Sequence, residues 1–180
     1  PKTAQRLVTP GVAAYLGYGL TEACSHVALT RVGDTDDIYR AMPGITFSQD
    51  NRNCLVINSS NFSWRTLTTN DIVELLDARS FRWLGRADNV IISGGIKIHP
   101  EQVERAIATA LGPGIPDFYI SSEESTRWGQ QVIMIAEAEG EQLENLRSLV
   151  ADLSLPKGWR PASVKGVARL PRTSNGKIRR

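Results

Sequence analysis

The stretch "LGRADNVIISGGIKIHPEQVE", Leu84 to Glu104, holds the sharpest change of character in the chain. Two β-branched runs flank Ser93-Gly94-Gly95. Glycines accept the positive φ of tight two-residue turns, so residues 89–99 are expected to form a hairpin. A helix is expected over 100–112. Pro100 suits its first turn, Glu101 and Glu104 lie near its positive end, and Gly112 offers a stop. Val103, Ile107 and Leu111 recur every four residues and form one apolar stripe. Arg86 can donate a planar fork to ribose or phosphate oxygens. Asp88 falls where composition shifts, and a short segment there can absorb backbone rotation as a hinge. The residues alone leave an ordinary linker ahead of a hairpin equally open.

Beyond this stretch, "DFYISSE" (117–123) and "QQVIMIAEAE" (130–139) read as strands. "EQLENLRSLVADLS" (141–154) reads as an amphipathic helix with Leu143, Leu146, Val150 and Leu153 on one face, and "ASVKGVARL" (162–170) as a last strand. Residues 88–180 therefore read as a small α+β domain of order β-β-α-β-β-α-β. Before it, residues 36–86 read as β-rich. "CLVIN" (54–58) is a strand, and "IVELLD" (72–77) and "FRWLGR" (81–86) form a hairpin about "ARS". Residues 6–18, "RLVTPGVAAYLGY", read as a strand or buried segment leading into a loop.

The 180 residues suit one domain or two small ones, with 41% hydrophobic and 22% charged residues and a formal net charge of +2. No dense basic patch suggests nucleic acid, and no apolar run approaches the ~20 residues that span a bilayer. Cys24 and Cys54 read as reduced, buried thiols of a cytoplasmic protein. A metal site of Cys and His is not expected, because His26 and His99 are isolated. The chain starts "PKTAQRLVTPG" without Met, which suggests a fragment of a longer protein.

Three further stretches could carry chemistry. In "YLGYGLTEACSH" (15–26), small and hydroxylated residues can bring N–H groups and the Thr21 hydroxyl against a phosphate, and Glu22 could hold Mg²⁺. The alternative is a turn before a helix capped by Thr21. In "TTNDIVEL" (68–75), Asp71 could accept both hydroxyls of a ribose, or simply bond its own backbone in a turn. The closing "LPRTSNGKIRR" (170–180) carries Arg172, Lys177, Arg179 and Arg180 and no acid. Lys177, after an Asn-Gly turn, is a compact charge suited to a transferring phosphoryl group. A solvated basic tail is the alternative.

Together these stretches resemble the adenylate-forming superfamily of acyl-CoA synthetases, nonribosomal peptide adenylation domains and luciferases. "YGLTE" (18–22) resembles its Y-G-x-T-E motif. "TND" (69–71) resembles T-G-D, with Asn70 where glycine is usual. Residues 84–104 resemble its G-R-x-D signature, with Ile92 where lysine is common, and "LPRTSNGKIRR" resembles its P-x-T-x-x-G-K ending. Within the superfamily, "GYGLTEACSHVALTRVG" and the compact segment before the T-N-D run look most like the branch of o-succinylbenzoate–CoA ligases of menaquinone biosynthesis. The family's phosphate loop and most of its large N-terminal domain are absent from these residues.

The resemblance implies an α/β and α+β fold. Residues 1–87 would be the β-rich tail of the large adenylation domain, and residues 88–180 the small mobile C-terminal domain. It implies ATP, Mg²⁺ and CoA as reactants, with a small-molecule acid. It places Gly17, Tyr18 and Gly19 along the adenine and acyl side, Thr21 at phosphate, Glu22 at Mg²⁺, and Asp71 and Arg86 at ribose. Asp88 would be the hinge, Gly94 and Gly95 would face CoA, and Lys177 would bridge the carboxylate and α-phosphate. Ser25 and His26 would contact the acid, although His26 could equally be a packed core residue. Other acyl- or aryl-CoA synthetases remain alternatives, as does an inert module that self-associates as a homo-oligomer through the surface meant for the missing domain.

Overall fold

The computed structural model describes residues 12–180 except Cys24, Thr35 and Asn175. Residues 6–11 of the expected first strand lie outside the described residues, as do the Cys24 thiol and the Asn of the Asn-Gly turn. The chain divides into two compact units, Pro1–Ala87 and Asp88–Arg180.

The first unit is a seven-stranded antiparallel sheet of spatial order β1-β2-β3-β7-β6-β5-β4. Its strands are β1 (Tyr15–Leu20), β2 (Ser25–Arg31), β3 (Ile38–Ala41), β4 (Ile45–Gln49), β5 (Cys54–Ser59), β6 (Thr66–Asp77) and β7 (Ser80–Arg86). The expected hairpin forms between β6 and β7, where Asp77 pairs with Ser80 across a two-residue tip. Val27, Ala28, Phe47, Leu55, Ile57, Val73 and Phe81 are buried together in one cluster. Phe81 is the hub: Tyr18 and Phe47 meet it edge-on at 5.2 and 4.9 Å, and Tyr39 stacks on it at 5.5 Å. Such pairs add ~0.5–1.5 kcal/mol each beyond area burial. Cys54 is buried in this sheet.

Two local expectations are corrected here. Thr21 caps no helix: Thr21–Ala23 is a single 3₁₀ turn and the chain re-enters the sheet at Ser25. "TTND" is not a turn either, because β6 already starts at Thr66 and runs through Asp71.

The second unit has the order β8 (Ile91–Ser93), β9 (Ile96–Ile98), α1 (Pro100–Leu111), β10 (Phe118–Ser125), β11 (Gly129–Glu137), α2 (Gly140–Ala151) and β12 (Ser163–Val167). This is the β-β-α-β-β-α-β order expected for the small domain. β11 is central. It pairs antiparallel with β10 and β8 and parallel with β12. Gly94 and Gly95 form the β8–β9 tip at φ +55° and +81°, the left-handed region a two-residue hairpin turn needs. Both helices lay their stripes on the sheet. Val103, Ile107, Leu146 and Val150 are buried with Ile91, Ile98, Ile120 and Met134. Each fully buried side chain of this size contributes roughly 1.5–3 kcal/mol. Gly112, at φ +72°, closes α1 by donating its N–H to Ala108 O. No helix among the described residues is long and apolar enough to cross a membrane.

Candidate active site

In the first unit the candidate residues gather at the corner where β1 turns into β2. The two strands approach closely. A Cβ on Gly19 would stand 1.9 Å from the Ser25 carbonyl oxygen, and one on Gly17 3.1 Å from His26 Cβ. The register slips between Tyr18 and Gly19, a bulge that bends the corner. Gly17, Gly19, Leu20, Thr21, Glu22, Ser25 and His26 line an open cavity of about 640 Å³ there. That volume is within the range of small-molecule sites.

Thr21 and Glu22 are exposed at the cavity's rim, so a hydroxyl and a carboxylate face solvent side by side. The Glu22 carbonyl is fixed from a distance by Trp64, whose indole N–H donates to it at 2.9 Å. Trp64 itself stacks on Phe62 at 4.7 Å. His26 is exposed rather than packed in the core, and its Nδ1 lies 2.9 Å from Ser25 Oγ. Ser25 and His26 thus form one polar pair on the β2 side of the cavity.

Tyr18 is not among the residues lining this cavity. Strand alternation turns it to the opposite face from Gly17 and Gly19. Its phenol donates to Asp71 Oδ2 at 2.7 Å, and the Trp83 indole donates to Oδ1 at 3.1 Å. Burial, followed by the Asp71 charge, pushes the Tyr18 phenol well above its ordinary range. Asp71 is itself buried, and its N–H donates to Thr69 Oγ1. Arg86, exposed, is its direct cross-strand neighbour on β7. Asp71 and Arg86 are therefore brought together, and Asp71 reaches its site already holding two donors.

In the second unit Asp88 sits in the 3₁₀ turn Ala87–Asn89, immediately ahead of β8. Gly94 and Gly95 are exposed at the hairpin tip, with the Trp128 ring against Gly94 and the Arg127 guanidinium 4.7 Å from that ring's centre. Lys177 is exposed on a closed loop rather than a frayed tail, because Arg172 and Ile178 form a bridge across its base. Sequence reasoning missed Trp64, Trp83, Trp128 and the two arginines that anchor this loop. Each acts across at least 12 residues, where no local pattern signals it.

A metal ion would find Glu22 as its only nearby acid side chain in the cavity lining, and no group of three or more metal-ligating side chains exists among the described residues. That donor set does not suit a dedicated protein cage. It does suit Mg²⁺ shared with phosphates and water, which needs only one or two carboxylates.

No family model matches the chain. It is 38% identical over 84 residues to 4-chlorobenzoate–CoA ligase from Pseudomonas sp. strain CBS-3, covering 42% of this chain and 16% of that one. It is 24% identical to 2-succinylbenzoate–CoA ligase from Lactococcus lactis, over 94% of this chain and 41% of that one. The chain thus spans well under half the length of these relatives. Its fold matches o-succinylbenzoate coenzyme A synthetase from Bacillus subtilis in complex with ATP and magnesium ion, with a TM-score of 0.70 at 19% identity. The match covers 93% of this chain and 40% of that one. The homologues and structural neighbours of the chain are AMP-forming acyl-CoA ligases, o-succinylbenzoate–CoA ligases among them, and its mostly β architecture with two helices matches their C-terminal part.

Proposed function

We propose that the chain is the C-terminal part of an ATP-dependent acid–CoA ligase that works through an acyl-adenylate, with o-succinylbenzoate as its acid. The observation that carries this reading is a cavity bounded by Gly17, Gly19, Thr21, Glu22, Ser25 and His26. It joins Gly17, Gly19 and Thr21, expected at the nucleotide, with Glu22, expected at the metal, and Ser25 and His26, expected at the acid.

In the first half-reaction a carboxylate oxygen attacks the α-phosphate, the bond to the β-phosphate oxygen breaks, and pyrophosphate leaves. In the second the CoA sulfur attacks the acyl carbonyl, its proton goes to solvent or base, and AMP leaves. Neither step needs a covalent enzyme intermediate, so positioning and cations dominate. Thr21 would donate its hydroxyl to a phosphate oxygen. Gly17 and Gly19, lacking side chains, let β2 approach closely enough to bring Ser25 and His26 into the same cavity. Asp71 and Arg86 would hold the ribose, each Asp71 oxygen keeping a lone pair beyond those used by Tyr18 and Trp83. Glu22 would hold Mg²⁺, which supplies charge neutralisation between phosphates. Ser25 and His26 would meet the acid's polar end. Residues 1–87 are read as the tail of the large domain and 88–180 as the mobile domain that turns at Asp88. Lys177 would serve adenylation, and the Gly94-Gly95 tip would serve thioester formation.

A second reading is favoured by the 38% identity to 4-chlorobenzoate–CoA ligase: an aryl-CoA ligase with a less polar acid. The test is CoA-dependent pyrophosphate release, by the polypeptide that carries these residues, across o-succinylbenzoate, 4-chlorobenzoate, benzoate and medium-chain fatty acids. Preference for o-succinylbenzoate supports the first reading. Preference for a benzoate replaces it with the second, and no acid-dependent release sinks both.

A further inference from the structure

The Lys177 loop has a defined shape with little apolar anchorage. Within it, Thr173 N donates to Lys177 O at 2.8 Å and Gly176 N to Thr173 O at 2.9 Å, while Arg179 N donates to Pro171 O at 2.8 Å. Leu170 is buried and Ile178 half-buried, but the other described residues from Pro171 onward are exposed. Hydrogen bonds internal to the loop cannot place it on the unit.

Two guanidinium groups do that, one on each side of the loop. Arg172 reaches Asp117 Oδ2 at 2.7 Å and Glu137 Oε2 at 3.2 Å, and its other arm donates to Gly176 O at 3.3 Å. Glu137 Oε2 also takes the Leu170 N–H at 3.1 Å, so the segment entering the loop shares the same anchor. On the exit side, Arg180 donates to Glu101 Oε1 and to Glu104 Oε1, each at 2.6 Å. Both acids lie in the first five residues of α1. Glu104 Oε1 also accepts the Ile120 N–H at 2.7 Å, and Glu101 Oε1 accepts the Asn89 amide. Asn89 immediately follows Asp88.

The exit-side clasp is the drier one. The Glu101 side chain is 8% exposed and that of Arg180 29%, and Glu101 Oε2 is buried without a partner. A carboxylate so placed depends on its guanidinium, since losing one member of a buried pair strands the other. A planar fork that spans two acids also fixes direction, which a lysine in its place cannot do.

We propose that Arg172 and Arg180 are positioning residues for Lys177, two clasps that hold its loop from either side, with the Arg180 clasp tying that position to the segment after Asp88. This rests on the reading of Lys177 as the adenylation lysine. Lysine carries its charge on a flexible four-carbon stem, so where its backbone stands decides what the ammonium can reach. A displacement of about 1 Å can cost on the order of 100-fold in rate.

The test compares adenylation, by acid-dependent ATP–pyrophosphate exchange, with thioester formation from supplied acyl-adenylate. The variants are Lys177→Ala, Arg172→Gln, Arg180→Lys, and Arg180→Met combined with Glu101→Gln and Glu104→Gln. The last removes the buried charges together and guards against simple unfolding. Each arginine variant is expected to lower adenylation kcat about 10- to 100-fold, leaving KM for ATP and the thioester step within about two-fold. Arg180→Lys, which keeps the charge, is expected not to rescue. In hydrogen exchange on the 180-residue chain, the Thr173 and Gly176 amides are expected to exchange faster while those of β11 hold. Unchanged exchange, or unchanged adenylation in the folded triple variant, overturns the proposal. If Lys177→Ala itself adenylates normally, the reading of Lys177 falls and takes the proposal with it. If Lys177→Ala is dead while the arginine variants are normal, only the clasps are refuted.

Discussion

The Tyr18 phenol and the Asp71 carboxylate, 53 residues apart, meet at 2.7 Å, with the Trp83 indole on the other carboxylate oxygen at 3.1 Å. Asp71 is only 6% exposed, so these two donors replace most of its water. Tyr18→Phe keeps the ring contacts with Tyr39 and Phe81 and deletes one donor. Leaving a buried acceptor short of a partner costs about 1–3 kcal/mol, so the urea midpoint should fall accordingly. The pair also has a pH signature. Burial and the Asp71 charge raise the Tyr18 pKa above its ordinary value of 10.0, so the folded state holds this proton more tightly than the unfolded state. Its stabilising contribution is complete below pH ~10 and is lost as pH climbs toward the folded value. Urea melts should show stability falling above pH ~10 in the wild type, with a shallower fall in Tyr18→Phe. Equal slopes in both would assign the alkaline loss to other groups.

Gly19 tests the corner itself. A methyl there would sit 1.9 Å from a backbone oxygen, which cannot rotate aside as a side chain could. Gly19→Ala should therefore cost about 3 kcal/mol or more, at the upper end for overpacking. Gly17→Ala, at 3.1 Å from a side-chain carbon, should cost distinctly less. Thermal melts of the two variants decide the order. Equal losses would mean that the β1–β2 approach is looser than these contacts.

How much of this was legible in the sequence follows from how local each cause is. The β8–β9 hairpin could be read because Gly94-Gly95 and the flanking Ile91, Ile92, Ile96 and Ile98 state turn and strands within eight residues. The helix α1 could be read because Pro100, the Val103–Ile107 stripe and Gly112 agree. β2 could not. "SHVALTR" has a small residue, Ala28, and a hydroxyl, Thr30, at buried positions, and its pairing depends on Gly19 across the turn. Asp71 looked like a turn residue because Asn and Asp are depleted in strands. It sits within β6 because Tyr18 and Trp83, distant in sequence, supply its donors. The arginine clasps are still more remote, since Arg180 reaches α1 across 76 and 79 residues.

On the proposed reading, Lys177 separates the two half-reactions. An ammonium that neutralises charge on the α-phosphate acts in adenylation and has nothing to neutralise when a thiol attacks a preformed acyl-adenylate. Lys177→Ala should abolish pyrophosphate exchange while thioester formation from supplied acyl-adenylate stays near the wild-type rate. Equal loss of both steps would refute the division of labour.

The turn that presents Glu22 has its own support. Trp64 donates to the Glu22 carbonyl from 42 residues away, and stacking on Phe62 fixes the indole. Trp64→Phe retains an aromatic ring for that stack and removes the N–H together with the indole's second ring. The bond is solvent-exposed, so the stability change should stay within about 1 kcal/mol. The consequence should appear at the carboxylate, because a 3₁₀ turn of three residues has little else to orient it. Magnesium titration of pyrophosphate release should show the half-saturating concentration rising roughly 3- to 10-fold in Trp64→Phe, and further in Glu22→Gln, with kcat at saturating Mg²⁺ little altered in the former. The indole then acts through Glu22 and not on the phosphates. A Trp64→Phe variant with wild-type magnesium dependence, beside a Glu22→Gln variant that has lost it, would show that the turn holds its carboxylate without the indole.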